Sequence, residues 1–375
     1  MTMAQPNSAL NAAPSRALTA RSAAPARILV YGVAGLIALA LALAPFLFPD
    51  IRSQEVAARI CVFIVLVASY DLLIGYTGIV SFAHTMFFGL GAYGTAIALK
   101  TMGPGFESIL VGGGIGIVAA LVLALLIGLL SLRVKAIFFA MVTLAAASVM
   151  MVLASQLSDF TGGEDGMTYS IPRLFSPATE LITDAEGRAL KVFGVALNGK
   201  IALYYFVFLT ALILFVAMMR IVASPLGSVL KAIRENEMRA EAIGYRVVFY
   251  RTTIFCIAAG IAAAAGILRA VWLKYTGPDV VLSFDIMIDI LLMVVIGGMG
   301  TMLGAIIGVV LMTLAQYYLK DLMALGAEAT ANVPLVPDLL NPERWLLWLG
   351  LGFILLVYFF PSGIVGTLLG RGGHK

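Results

Sequence analysis

The sequence predicts an all-α polytopic membrane protein with about ten transmembrane segments, broken helices and an inverted repeat, on three observations. Of its 375 residues 62% are hydrophobic and 12% charged, against roughly 25% charged in a soluble domain. Apolar runs near the length of a helical span recur from one end to the other, with many Gly residues and few of the alternations a β-barrel needs. Glycine-rich stretches interrupt that pattern in both halves of the chain.

Residues 1–26 are rich in Ala, Ser and Pro, carry Arg16 and Arg21 without an acid, and read as a disordered cytoplasmic tail. A transmembrane region, 27–368, follows, with expected spans at 28–48, 57–74, 81–99, 109–131, 136–157, 200–222, 252–273, 285–297, 301–319 and 344–360. Residues 369–375 form a second short tail. With the N-terminus inside, Arg16, Arg21, Arg27, Arg133, Lys135, Arg220, the basic residues from Lys231 to Arg251, Arg371 and Lys375 fall on the cytoplasmic side, against only Glu235, Glu237 and Glu241. The positive-inside rule therefore places both termini in the cytoplasm. The segment 158–199, with Asp159, Glu164, Asp165, Glu180, Asp184 and Glu186, becomes the main external loop.

Cys61 and Cys256 both lie inside apolar runs and read as core residues, which leaves no disulfide framework. No GxxxxGK[ST], HExxH, paired-cysteine or nucleophile motif is present, so no catalytic residue, metal site or cofactor is expected. If the chain does uphill work, the energy comes from elsewhere.

The first glycine-rich stretch runs from Asp71 through Gly75, Tyr76, Thr77, Gly78, Ser81 and His84 to Gly89, Gly91, Tyr93 and Gly94; the second holds Gly297, Gly298, Gly300, Gly304 and Gly308. Unpaired backbone in hydrocarbon costs several kcal/mol per group, so such breaks persist only inside protein or beside a wet cavity. Two readings stand side by side: a translocation path lined by both stretches, or close helix packing through small residues, which the Gly300, Gly304, Gly308 spacing fits. Asp71 sits where it could hold unwound N–H groups, Asp285 falls at the outer interface with Asp289 one turn deeper, and a histidine without a nearby acid suits a hydrogen-bonded scaffold role.

The stretch 223–251 is the longest charged run between apolar segments. Ser224 as N-cap, Pro225 at the first helical position and Gly244 as stop predict one helix over 225–243. Leu226, Val229, Leu230, Ile233, Ala240 and Ile243 share an apolar arc that also contains Asn236 and Glu237, and that intrusion points to a polar partner on this face. A basic interfacial helix on the inner leaflet is the alternative.

These residues resemble the branched-chain amino-acid ABC transporter permease family, LivM-like branch. Asp71 to His84 (DLLIGYTGIVSFAH) with Phe88 to Tyr93 looks like the family's first signature, and Thr161 to Gly166 (TGGEDG) is similar to its external turn. Ser224 to Gly227, Ala232 to Glu237 and Ala240 to Gly244 resemble its cytoplasmic coupling segment, and Gly297 to Gly304 with Pro361-Ser362-Gly363 match two further positions. The resemblance covers roughly 55–368. It implies a permease subunit of a bacterial importer in the inner membrane, working with a second LivH-like permease, two cytoplasmic ATPase subunits and a periplasmic binding protein. ATPase coupling then falls to Arg234, Glu235, Asn236, Glu237, Glu241 and Gly244. Asp71 departs from the family's common Asn, and Ala83 from a frequent Gly; related urea permeases carry Asp at the first of these.

A path bordered by Tyr76, Thr77, Ser81, His84 and Tyr93 has few fixed charges, which suits a hydrophobic amino acid such as Leu, Ile or Val. It has no basic cluster for a multivalent anion, and no nucleic-acid partner is expected. Urea, a short amide or an aromatic carboxylate would also fit. The rival from another class is an ion-coupled carrier using Asp71, His84 and Asp289.

Overall fold

A computed structural model describes residues 15–131, 136–180, 191–192, 195–329 and 339–370. Arg133, Lys135, Asp184, Glu186, Arg371 and Lys375, with residues 1–14 of the expected tail, lie outside the described residues. The chain is a bundle of α1 (Ser15–Leu47), α2 (Ile51–Thr77), α3 (His84–Thr101), α4 (Phe106–Ser131) and α5 (Ala136–Gln156), followed by a short α6 (Ser158–Thr161), β1 (Met167–Thr168), β2 (Lys191–Val192) and β3 (Val195–Ala196). Then come α7 (Gly199–Ala223), α8 (Pro225–Glu235), α9 (Glu237–Ala242), α10 (Val247–Leu273), β4 (Tyr275–Thr276), α11 (Pro278–Val281), α12 (Phe284–Gly297) and α13 (Met302–Ala329), and the chain closes on helices Trp345–Phe359 and Gly363–Leu368.

Every expected span is a helix, and among the described residues nine helices are long and apolar enough to cross a membrane. The tenth expected span, α3, falls short because His84 and Lys100 dilute it, yet its residues are largely buried against α4 and α10. α1 begins at Ser15, so residues 15–26 are helical backbone where a disordered tail was expected. Ala and Arg, strong helix formers, let the span's helix run on past its apolar part.

α2 is the centre of the bundle: 89% of its apolar window is buried, with α1, α7, α10, α12 and α13 around it. A helix apolar on all sides belongs in such a position. α4 and α5 instead turn Ile115, Val118, Val122, Leu126, Met141 and Val149 outward, as lipid-facing helices do. α3 approaches its neighbours closely because both sides are small. A Cβ on Gly91 would overlap the carbonyl of Ala263 on α10, and one on Gly116 of α4 would meet the carbonyl of Leu90.

At the end of the bundle carrying the 158–180 loop, β1 pairs antiparallel with β4, Met167 opposite Thr276. Tyr169 locks this cap through its hydroxyl, 3.0 Å from the Ala270 carbonyl and 2.8 Å from Thr276 Oγ1, and burial raises its phenol pKa. Tyr275 donates to the Asp165 carbonyl at 2.9 Å. The TGGEDG turn is thereby fastened to the segment between α10 and α12.

Candidate functional site

The two glycine-rich breaks meet. α2 ends where Gly78 turns left-handed (φ 72°), and the second break leaves α12 at Gly298 and resumes at α13. Asp71, 1% exposed and one turn before Gly75, accepts a hydrogen bond from Gly300 N at 2.8 Å. The expected role of Asp71 in holding unwound N–H groups is thus realised across the junction, on the other break. Gly75 has no room for a Cβ, which would overlap the Asp71 carboxylate and Gly300 N. Gly300 (φ 77°) sits in the left-handed region, where glycine alone is unstrained, and its own Cβ would press on the Gly75 carbonyl. The closing Pro361-Ser362-Gly363 motif backs this junction: a Cβ on Gly363 would overlap Gly298. Gly297 and Gly304 pack against each other's backbone, so the second stretch divides into a packing part and an unwound part.

Arg234, near the C-terminal end of α8, reaches into the same place and donates from its guanidinium to the Gly75 carbonyl. Lys231, one turn earlier, lies 5.4 Å from the ring centroid of Tyr76. The amphipathic segment is therefore bolted to the junction of the broken helices. The cavity beside it has a volume of about 580 Å³ and is bordered by Gly75, Tyr76, Arg234, Glu235, Met299 and Ser362.

The segment itself differs from expectation in three ways. Its helix is two helices, because Asn236 adopts an extended conformation (φ −159°, ψ 101°) and accepts from Arg239 N at 2.9 Å, capping α9. Glu237 makes a two-pronged pair with Arg251 at 2.7 and 3.0 Å. Both polar residues that looked out of place thus have partners inside the chain, and the apolar arc has to be redrawn at the break. Ser224 is not the side-chain cap of α8; its hydroxyl donates to the Ile221 carbonyl at 2.6 Å. Gly244 does follow the end of α9 with φ 101°. What α9 and its exit expose is Met238 at 81% and Ile243 at 70%, with Glu241 beside them.

The rest of the first stretch is enclosed by its own chain. His84 is fully buried, its Nε2 2.7 Å from Ser69 Oγ and its ring edge-on to Tyr70. Thr77 donates to the Leu73 carbonyl at 2.6 Å, Ser81 accepts from Ala83 N at 3.3 Å, and Gly91 packs on Ala263. Tyr93 is 7% exposed, deep in α3. Of the residues expected along a path, Gly75, Tyr76 and Gly300 border open volume.

A second polar cluster lies toward the opposite end, on α2, α10, α12 and α13. Arg59 donates to Tyr317 Oη and to Gln316 Oε1, each at 3.3 Å, and packs over the rings of Phe63 and Tyr317. Gln316 donates to Asp289 at 2.9 Å, and Asp289 is 3.9 Å from Arg59. Arg269 of α10 is 8% exposed, and its Nη1 has no hydrogen-bond partner among the described residues. Further out, Arg52 pairs with Asp321 at 2.7 Å.

The family described as "Branched-chain amino acid transport system / permease component" matches residues 54–357. The chain belongs to that family. It is 28% identical over 276 residues to the high-affinity branched-chain amino acid transport system permease protein LivM of Salmonella typhimurium, covering 72% of this chain and 64% of that one. The corresponding LivM of Escherichia coli is 26% identical over 278 residues, covering 71% and 63%. A probable branched-chain amino acid transport permease protein LivM of Methanocaldococcus jannaschii is 26% identical over 163 residues, covering 43% and 45%. The match thus spans a little under two thirds of the length of the first two relatives. No solved structure matches the permease.

The sequence motifs pointed to the junction; of the second cluster, Asp289 was among the candidates and the arginines were not. Their signal was present, since Arg59 and Arg269 fall inside expected spans, where an ionisable residue is a functional candidate by default.

Proposed function

We propose that the chain is the membrane-spanning permease subunit of a bacterial ABC importer for branched-chain or other hydrophobic amino acids. It pairs with a second, LivH-like permease, docks two cytoplasmic ATPase subunits and takes substrate from a periplasmic binding protein. It crosses the inner membrane many times with both termini cytoplasmic, and the chain itself performs no catalysis. Family membership and the names of its relatives support the substrate class, and the clustering of basic residues at the α8 end supports the orientation.

The observation that carries the mechanism is Arg234 of α8 holding the Gly75 carbonyl while Asp71 holds Gly300. A push on α8 by an ATPase is transmitted to both broken helices at once, without a flexible linker between. The docking surface on this reading is Met238, Ile243, Glu235 and Glu241, with Asn236 and Gly244 setting the angle between α8, α9 and α10; Glu237 serves the internal pair with Arg251. The path reaches the cytoplasm beside Tyr76 and Gly300. Asp71, the family departure, is spent on the junction, so it does not argue for urea over an amino acid.

The test expresses the permease with its neighbouring transporter genes. Met238→Asp with Ile243→Asp should leave membrane insertion intact, abolish co-purification of the ATPases and abolish leucine uptake. Normal co-purification would refute the docking surface, and leucine uptake unchanged on deletion of the permease gene would refute the substrate class.

A further inference from the structure

Arg269 lies in the last turns of α10, buried, and its Nη1 has no hydrogen-bond partner among the described residues. The groups close enough to act on its charge are Arg59 and Glu55 of α2 and Tyr317 of α13. Arg59 Nε is likewise buried and without a hydrogen bond among the described residues. Asp289 accepts from Gln316 with Oδ1, and its Oδ2 stands 3.9 Å from Arg59, beyond hydrogen-bond reach. About 24 Å of α2 separates Arg59 from Gly75, so this cluster and the junction occupy the two ends of the central helix. At the cluster's end lies a cavity of about 440 Å³, bordered by Ile51 and Gln54 of α2, Lys200 and Ile201 of α7, and Trp272 and Lys274 at the end of α10. Gln54 adjoins Glu55 in the chain, and Trp272 is one helical turn from Arg269. The cavity lining holds two lysines and, among the described residues, no carboxylate.

A guanidinium held in an apolar bundle without a full set of acceptors is expensive, and such groups persist where function uses them. Arg269 is covered by the chain's own helices, which puts it out of reach of a lipid headgroup on the bundle's surface. The cluster also offers both signs of charge: two guanidiniums with N–H groups to spare and one carboxylate oxygen without a hydrogen bond. A multivalent anion would meet Asp289 and Glu55 as well as the arginines, whereas a small zwitterion satisfies both signs at once. We propose that Arg269 binds the α-carboxylate of the transported amino acid and Asp289 its ammonium group, at the end of the path opposite α8, with the basic cavity beside Trp272 as the way in. The proposal rests on the amino-acid permease function proposed above and names the residues that would recognise the substrate.

The experiment measures thermal midpoints of the intact transporter, without the periplasmic binding protein, titrated with leucine, leucinamide or isocaproate. Leucine should raise the wild-type midpoint in a saturable way. Leucinamide, which lacks the carboxylate, should not, and isocaproate, which lacks the ammonium, should do so only at higher concentration. Arg269→Met should weaken the apparent affinity for leucine at least about tenfold, because a buried charge-assisted contact is lost. Arg269→Lys should keep part of it, and Asp289→Asn should weaken leucine while leaving isocaproate unchanged; equal weakening of both would overturn the ammonium pairing. An equal leucine response in wild type and Arg269→Met, a leucinamide response matching that of leucine, or no wild-type response to either carboxylate would overturn the proposal and return Arg269 to Glu55 or to a carboxylate of the second permease. Isocaproate binding that Arg269→Met abolishes, in a transporter that imports no leucine, would keep the carboxylate site and sink the amino-acid reading. Normal leucine import with a response the variant does not alter would sink the site alone.

Discussion

The α8-end junction and the second polar cluster, at the opposite end, are both polar groups set in an apolar bundle, and they are assembled differently. At the junction, backbone meets side chain: Asp71 takes Gly300 N, Arg234 gives to the Gly75 carbonyl, and glycines at 75 and 300 make room. The second cluster is side chain to side chain, linking Arg59, Asp289, Gln316 and Tyr317, and it leaves Arg269 Nη1 without a hydrogen-bond partner among the described residues. Backbone groups freed by broken helices demand partners wherever they are buried, so the junction is dictated by the breaks themselves. A buried guanidinium nitrogen left without a hydrogen bond, as Arg269 Nη1 is among the described residues, is not required by any helix break. The junction closes two helix breaks on each other, whereas the second cluster leaves a buried guanidinium nitrogen unsatisfied.

The largest effect should come from Gly75→Val, whose side chain has only the Asp71 carboxylate and Gly300 backbone to displace. It should abolish accumulation of the permease in membranes, while Gly352→Val, with open space around it, leaves abundance unchanged. Equal abundance of the two would break the view of the junction as close-packed. Next, Asp71→Ala removes the acceptor of the buried Gly300 N–H and should cost roughly 2 kcal/mol, within the range for a buried donor that loses its acceptor. Asp71→Asn keeps an acceptor and should cost less than half of that, both read as thermal midpoints in detergent.

In the second cluster, Arg269→Met should hold or raise the thermal midpoint, because a buried cation is replaced by an apolar chain of similar length, while uptake falls severalfold. A lowered midpoint with normal uptake would make Arg269 structural and erase the contrast with the junction. The smallest effect belongs to Arg52→Ala. Its pair with Asp321 is about half exposed on both sides, so the loss should be at most about 0.5 kcal/mol.

Much of the fold was legible because apolar runs of span length have few alternatives. The glycine stretches announced breaks, and Asp71 before Gly75 announced an anchor for freed N–H groups. Their meeting was not legible: the pairs Asp71 with Gly300 and Gly75 with Arg234 join residues far apart in sequence, and no local pattern encodes them. Asn236 was misread for a local reason. Asn interrupts a helix and caps the next one equally well, and a helical plot drawn through it hides the break. The second cluster was legible only in part, because Asp289 was weighed as an acid inside a span while the arginines Arg59 and Arg269 were not.

The central claim is that Arg234 transmits the movement of α8 to the broken helices. The direct measurement is ATP hydrolysis and leucine uptake by the same reconstituted transporter carrying Arg234→Ala, with the ATPases shown to co-purify. The account predicts assembled complexes that hydrolyse ATP at a near-normal rate and import at least tenfold less leucine per ATP, about 1.4 kcal/mol or more of lost coupling. Hydrolysis and uptake remaining in the wild-type ratio would contradict it.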